Sequence, residues 1–317
     1  AEWYMNKSED LLYSVPVPAQ TGVSNTSVTM NAASMENSGF EFSATYRNRD
    51  HAFKYDISAN LSTLKNKVTS LGIGKDSYIS GAYATYVGQE IGQFYGWVYE
   101  GIARTQADLD NHATQQGVNV GDCLYKDISG PEGTPDGVID AYDQTVLGSG
   151  LPKVNFGLST HMEYKGFDLN ISTYGVLNYH VSDDIYNSLN SCYGYGNKEV
   201  GMLDANRWSE DGTYLSSVPR TYAANNATLA WNDLFSSRKI QNAAYWKIAN
   251  VELGYNFPDK WFGGYVSGVR LYVSAQNLYT FTGYHGYNVD YAGGTFTPGY
   301  NFCSFPSART FMAGLHF

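Results

Sequence analysis

The chain has 317 residues, a formal net charge of −10 and a mean hydropathy of −0.34. The acidic balance argues against a nucleic-acid partner, because such a partner requires a basic surface. No stretch offers the roughly 18 consecutive apolar residues of a transmembrane helix, so any membrane crossing would have to use β-strands. Aromatic residues make up 15% of the chain and 28 of them are tyrosines. This excess is typical of the amphipathic girdles of a membrane β-barrel.

The N-terminal part of the chain predicts the end of one strand and then a hairpin. Residues 2–5 predict the strand end, and a polar connection that contains prolines follows over 7–36. In 39–47 and in 52–68, apolar and polar residues alternate, which is the period of a strand with two different faces. The residues 48–51 form the short connection between these two strands.

A long connection over 68–152 separates this hairpin from a second one. Within it, 105–113 predicts a short helix. The aromatic stretch 94–99 predicts a small core that orders the loop itself, with stacking on sugar rings or on a partner as the alternative. The second hairpin spans 153–179, and both of its arms alternate. Residues 164–166 connect the arms through a glycine, which readily adopts a positive φ.

After a second long connection over 180–243, the chain predicts three further strands. They span 244–257, 269–284 and 308–317. The connection 257–267 between the first two of these strands is short. The connection 281–305 before the last one is long.

The sequence therefore contains about eight predicted strands whose connections alternate between short and very long. Outer-membrane barrels have short periplasmic turns, long extracellular loops, an apolar outer face and a polar interior. A soluble sandwich predicts no such order of loop lengths. The pattern predicts an all-β fold, namely a transmembrane antiparallel β-barrel with long extracellular loops, in the outer membrane of a Gram-negative bacterium.

Several stretches, in a fixed order, resemble the C-terminal part of the SusC/RagA-type TonB-dependent outer-membrane transporters. They are NSGFEFSATYRN, STLKNKVTSLG, IGQFYGWVYEGI, DGVIDAYDQTVLGSGLPKVNFGLS, YKGFDLNIS, YWKIANVELGYNFP, VRLYVSAQNLYTFTGY and ARTFMAGLHF. The resemblance implies that residues 1–317 supply about the last eight strands of a 22-stranded barrel. It also implies that the plug domain and the TonB-contacting segment lie outside this chain. The first residues show no secretory leader, which favours a fragment of a longer protein.

The resemblance implies a nutrient importer that takes up oligosaccharides or peptides. Its expected partners are a SusD-like surface lipoprotein, the TonB complex and outer-membrane lipid. An enzyme is not expected, because the six histidines are scattered and the chain has no metalloprotease motif and no nucleophile elbow. The alternative is a complete small outer-membrane barrel that acts as an adhesin or structural anchor. The sequence identifies neither catalytic nor substrate-binding residues.

One candidate metal site lies in the first long connection, at DISGPEGTPDGVIDAYD. The family pattern that it resembles runs Asp-x-Asn-x-Asp-Gly-x-Ile-Asp-x-x-Asp, which is close to a calcium loop. The candidate ligands are Asp127, Asp136, Asp140 and Asp143, and Ca²⁺ is the candidate cofactor. Extra residues between Asp127 and Asp136 depart from the pattern. The alternative is a turn in which Asp136 and Asp140 cap the backbone without an ion.

Overall fold

The computed structural model describes most of the chain. The described residues are 1–16, 27–72, 74–191, 197–200, 208, 218–221, 231–263, 265–266, 268–290, 293–302 and 304–317. The proline-containing stretch 17–26 and much of the predicted connection 180–243 lie outside these ranges, as do Cys192 and Cys303. No helix among the described residues is both long enough and apolar enough to cross a membrane.

The regular elements are mostly strands. The first half of the chain contains β1 (Glu2–Pro16), β2 (Ser27–Asn48), β3 (Phe53–Thr63), β4 (Lys65–Ser70), β5 (Ser77–Ser80), β6 (Tyr83–Tyr86), β7 (Gln93–Gly96), β8 (Tyr99–Ile102), α1 (Gln106–Asp110), β9 (Cys123–Tyr125) and β10 (Thr145–Ser149). The second half contains β11 (Val154–Tyr164), β12 (Phe167–Leu177), β13 (His180–Asp183), α2 (Asp184–Leu189), β14 (Gln241–Asn242), β15 (Tyr245–Asn256), β16 (Arg270–Thr282), β17 (Gly293–Gly294), β18 (Thr297–Pro298), β19 (Tyr300–Asn301) and β20 (Thr310–His316). Short 3₁₀ turns span Ala141–Asp143, Ser237–Lys239 and Asp259–Phe262.

The main sheet is an antiparallel meander. Its strand order is β1-β2-β3-β11-β12-β15-β16-β20, and β4 pairs with residues 34–38 of β2. Short connections, such as the residues 165–166, join neighbours at one edge of the sheet, whereas residues 64–153, 178–244 and 283–309 join neighbours at the other edge. This confirms the predicted fold class and the predicted alternation of loop lengths. Among the described residues, β1 and β20 do not pair with each other, so this sheet is open.

The strand register places polar and apolar side chains in separate rows across the sheet. One polar row runs through Thr45, Ser58, Ser159, Ser172, Asn250, Gln276 and Thr310. The next row, mostly apolar, runs through Tyr46, Ile57, Thr160, Ile171, Val251, Ala275 and Phe311. Because successive residues of a strand point to opposite faces, the sheet has one polar and one apolar face. The apolar face is solvent-accessible in this chain, and Phe311 is 69% exposed.

The central hairpin shows why the register is fixed. Lys165 and Gly166 form its two-residue loop with φ values of 49° and 89°. Two positive φ values are the requirement of the hairpin turn that matches the twist of antiparallel strands. The turn sets Tyr164 opposite Phe167, and the pairing continues without a bulge to Val154 opposite Leu177. The predicted hairpin is confirmed.

Other boundaries in the sequence interpretation were wrong. Residues 7–36 were expected to be a connection, but β1 continues to Pro16 and β2 already begins at Ser27. The predicted strand 52–68 breaks at Leu64, whose N–H donates to the carbonyl of Lys153 at 2.8 Å. After this break, β4 continues along β2 in the register of β3, from Lys65 opposite Ser38 to Ser70 opposite Ser34. The pairing with β11 ends at Thr63 opposite Val154.

The long connections have structure of their own. Residues 68–152 contain the small sheet β10-β7-β6-β5 and the pair β8-β9, where only a helix was expected. That helix, α1, is shorter than the predicted range 105–113, and Thr105 caps its N-terminus. Clusters of buried hydrophobic residues also lie in these connections, for example Cys123, Tyr125 and Ile139. Within the described residues, the buried clusters therefore lie in the loops and where the loops meet the sheet, as at Val176 and Tyr245.

Candidate functional site

The polar face carries a charged cluster near the short connections. Arg270 makes two hydrogen bonds to Asp168, from Nε at 3.0 Å and from Nη2 at 2.5 Å, and Nη2 also lies 2.7 Å from Glu252. The Asn256 amide donates to Asp168 at 2.8 Å. A Cβ atom at Gly254 would lie 2.5 Å from Arg270 Nη2, so the glycine makes room for the guanidinium. These contacts join β12, β15 and β16 on one face.

A second charged group lies beside the first. His161 hydrogen-bonds Glu163 through Nε2 at 2.8 Å and Asn170 through Nδ1 at 2.6 Å. Lys54 lies 3.7 Å from the other oxygen of Glu163. Together the two groups make this end of the polar face a charged surface, which would be costly to place against hydrocarbon.

The aromatic side chains of the first long connection pack within the loops. Phe94 is fully buried, with its ring centroid 6.1 Å from that of Phe235. The rings of Trp97 and Trp231 both pack near the Tyr125 ring, with centroid separations of 6.4 and 6.1 Å. This arrangement supports the loop-core interpretation of the stretch 94–99. By contrast, Trp246 is 42% exposed on the apolar face and stacks on Phe281.

A buried ion pair joins the first and second long connections. Arg220 donates from Nε to Asp122 Oδ1 at 2.7 Å and from Nη2 to Oδ2 at 2.9 Å. Asn232 donates to the same carboxylate at 2.8 Å and accepts the Cys123 N–H at 2.7 Å. Asp122 also accepts the N–H of Asn119 at 2.9 Å. Because Asp122 is 3% exposed, the fork geometry and these two further hydrogen bonds compensate for its desolvation.

A second buried carboxylate joins the second and third long connections. Asp183 caps α2 by accepting the N–H of Tyr186 at 2.8 Å. It also accepts hydrogen bonds from the hydroxyl of Tyr284 and from the Asn301 amide, the latter at 3.1 Å. Burial raises the pKa of Tyr284, so its hydroxyl stays protonated and donates. Sequence reasoning assigned no role to either carboxylate, since their side-chain partners lie 98 to 118 residues away along the chain.

The four predicted calcium ligands lie in one loop, where each accepts a backbone N–H. Asp127 accepts from Gly137 at 2.7 Å. Asp136 and Asp140 accept from the second residue after themselves, at 3.0 and 2.8 Å. Asp143 accepts from three N–H groups, among them those of residue 128 at 2.8 Å and of Asp140 at 2.8 Å.

The contacts of Asp136 and Asp140 are those of a turn in which the side chain caps the backbone, the alternative to a calcium site. No group of three or more His, Cys, Asp or Glu side chains within the described ranges is arranged to hold a metal ion. One oxygen of Asp127, Oδ1, is buried without a hydrogen-bond partner. Calcium binding here stays a prediction.

The comparisons with known proteins agree with the geometry. No family model matches the chain. The TonB-dependent receptor P3 of Formosa agariphila is 31% identical over 99% of this chain and 32% of its own length. The TonB-dependent receptor SusC of Bacteroides thetaiotaomicron is 27% identical over 98% of this chain and 29% of its own length. The chain thus spans about a third of the length of the curated relatives that it matches.

Solved structures show the same fold. The RagAB peptide transporter superposes with a TM-score of 0.77 at 22% identity, over 99% of this chain and 32% of the other. The RagAB peptide importer in its open-open state gives a TM-score of 0.74. The sheet, with its two unlike faces and its long loops at one edge, is that of an outer-membrane β-barrel. Within that class, the chain matches a portion of a SusC/RagA-type TonB-dependent receptor, which confirms the resemblance in its sequence.

Proposed function

We propose that this chain is part of a TonB-dependent importer of the outer membrane of a Gram-negative bacterium. The apolar face would meet lipid, and the polar face would line the lumen through which a nutrient passes. The separation of polar and apolar rows over seven strands carries this proposal, because a strand that faces lipid on one side and water on the other needs that pattern. The proposed role is transport, not catalysis.

The proposed nutrient is an oligosaccharide or a peptide, taken up with a SusD-like lipoprotein. The RagAB peptide transporter suggests the peptide class. The oligosaccharide class follows from the SusC/RagA resemblance in the sequence. The described parts of the long loops at one edge of the sheet support a partner outside the membrane. Buried carboxylates tie these loops to one another, through Asp122 and Asp183, so they present a defined surface. TonB would supply the energy through parts of the protein outside this chain.

The alternative of a small adhesin or anchor is less well supported. A complete eight-stranded barrel closes its first strand on its last and fills its interior with side chains. Among the described residues the main sheet is open between β1 and β20. The polar face also has hollows, one of which is lined by Asn60, Gly157 and Tyr174.

Uptake by the intact system tests the proposal. The gene would be deleted and then restored as the full-length product, and growth would be followed on oligosaccharides and on peptides as sole carbon sources. We expect growth on at least one ligand class to require the gene, a functional TonB and a SusD-like lipoprotein. Full growth of the deletion strain on every ligand, together with loss of surface adhesion, would favour the adhesin.

A further inference from the structure

A pocket opens on the polar face where the 283–309 loop folds over β15 and β16. Its volume is about 330 Å³, which is at the lower end of the range for ligand sites. Strand residues Lys247, Thr280 and Thr282 form one wall, and the loop residues 286–290 form the other. The lining is polar and aromatic, so the pocket is suited to a hydrated ligand rather than to lipid.

An ion pair between β15 and the loop holds the loop against the sheet. Asp290 accepts from Lys247 Nζ at 2.5 Å and from the Tyr174 hydroxyl at 3.3 Å. The Lys247 side chain is 5% exposed, so its charge is committed to this contact. The ion pair therefore shapes the pocket but offers little free charge to a ligand.

Arg309 supplies the free charge. It lines the pocket, is solvent-exposed, and makes no ion pair with any described residue. The charged side chains of the lining are Lys247, Asp290 and Arg309, which gives a net charge of +1. The chain as a whole carries −10. The local positive charge favours an anionic group in the pocket although the protein as a whole is acidic.

The backbone holds Arg309 in place beside a local irregularity of the sheet. Asn277 has a φ of 51° at a register shift between β15 and β16. Its amide donates to the carbonyl of Ala308 at 2.9 Å, and the next pair of the ladder sets Gln276 opposite Thr310. Bulges commonly redirect a side chain at a functional site, and a non-glycine residue at positive φ is a local cost that needs a compensating role. Here the register shift and the positive φ of Asn277 position Ala308 and Thr310, the residues on either side of Arg309.

We propose that this pocket binds a carboxylate group of a solute in the lumen, with Arg309 as its charged partner. The planar guanidinium matches a carboxylate with two parallel hydrogen bonds. Asn288, Thr280 and the exposed Tyr287 line the same pocket and would contact the remainder of the solute. The site deepens the proposed import function and rests on it for the route by which the solute arrives.

Calorimetry on the full-length gene product in detergent tests the site. The probes are tetragalacturonate and a tetraglutamate peptide, which carry carboxylates on a sugar and on a peptide, with maltotetraose and a neutral tetrapeptide amide as uncharged counterparts. We expect at least one acidic probe to bind, more weakly at higher salt because the contact is exposed. Which probe binds identifies the source of the carboxylate.

The variants separate this site from general electrostatics. Arg309→Gln should weaken binding of the acidic probe about tenfold. Arg309→Lys should weaken it less, because the charge remains but the fork is lost. Arg104→Gln removes the same charge from an exposed position in another loop and should have no effect. Each variant is first checked for the heat-resistant migration of a folded barrel.

Some outcomes would overturn the site. The proposal fails if neither acidic probe binds or if Arg309→Gln binds as tightly as the parent. It also fails if Arg104→Gln weakens binding as much as Arg309→Gln does. Gene-dependent uptake with no effect of Arg309→Gln on binding would remove the site and leave the importer. Binding that depends on Arg309, without uptake that depends on the gene, would support the site and contradict the proposed import function.

Discussion

Replacing Ile171 by arginine tests which face of the sheet meets lipid. Ile171 is the fifth of the eleven residues of β12, about 13 Å from one end of the strand and about 20 Å from the other. Its neighbours across the sheet are Thr160 and Val251. A guanidinium near the middle of an apolar membrane face costs about 2–4 kcal/mol of folding free energy. We therefore expect Ile171→Arg to lower the free energy of unfolding by about 2–4 kcal/mol.

The matched control is Ser172→Arg, one residue further along the strand. Ser172 is exposed on the polar face and lies between Ser159 and Asn250. There the new charge would stay in water, and the expected change is within about 0.5 kcal/mol. Asn170 lies on the same face but is a poorer control, because it is hydrogen-bonded to His161.

The assay is urea unfolding of the full-length gene product in lipid vesicles, followed by tryptophan fluorescence. The free energies of unfolding of the parent and both variants are compared at one temperature. A loss for Ile171→Arg that Ser172→Arg does not share confirms the assignment. Equal losses, or a larger loss for Ser172→Arg, would show that the apolar row does not face lipid.

Three further predictions concern the polar face and the loops. Gly254→Ala should cost about 1–3 kcal/mol because its Cβ atom would displace the guanidinium beside it, whereas Gly283→Ala, with no atom within 4 Å, should be neutral in the same urea assay. Asp122→Asn should cost the loops about 2–3 kcal/mol and speed their limited proteolysis; the exposed Asp110→Asn is the control, and equal rates would contradict the role of the ion pair. Calcium should raise the thermal midpoint of the parent but not of Asp127→Asn, and a midpoint unchanged by chelator would leave only the capped turn.

The strands of the main sheet were predictable because their signal is local. Alternation over 153–179 specifies which side chains share a face, and Gly166 marks the turn. Once a two-residue turn fixes the register, every opposite pair up to Val154 and Leu177 follows. The order of loop lengths then indicated the architecture, since short and long connections leave opposite edges of a barrel.

Strand ends were less predictable because pairing partners decide them. The alternation of apolar residues ends at Leu61. Beyond Leu64 the chain still forms a strand, β4, because residues 34–38 of β2 supply a pairing partner. Residues 27–36 lack alternation, yet they form part of β2 because β1 pairs with this part of the strand. Hydrogen bonding between strands can extend a strand beyond its own hydrophobic pattern.

The sequence by itself determined the two faces of the sheet, the hairpin turns and the resemblance to a receptor family, because each depends on residues close together in the chain. The tertiary structure alone decided how the loops are ordered and where a ligand has room. Asp122 meets Arg220 from 98 residues away. Arg309 shares a pocket with Lys247 only because the 283–309 loop folds back on β15. Such contacts arise from chain folding in three dimensions, for which local periodicity carries no information.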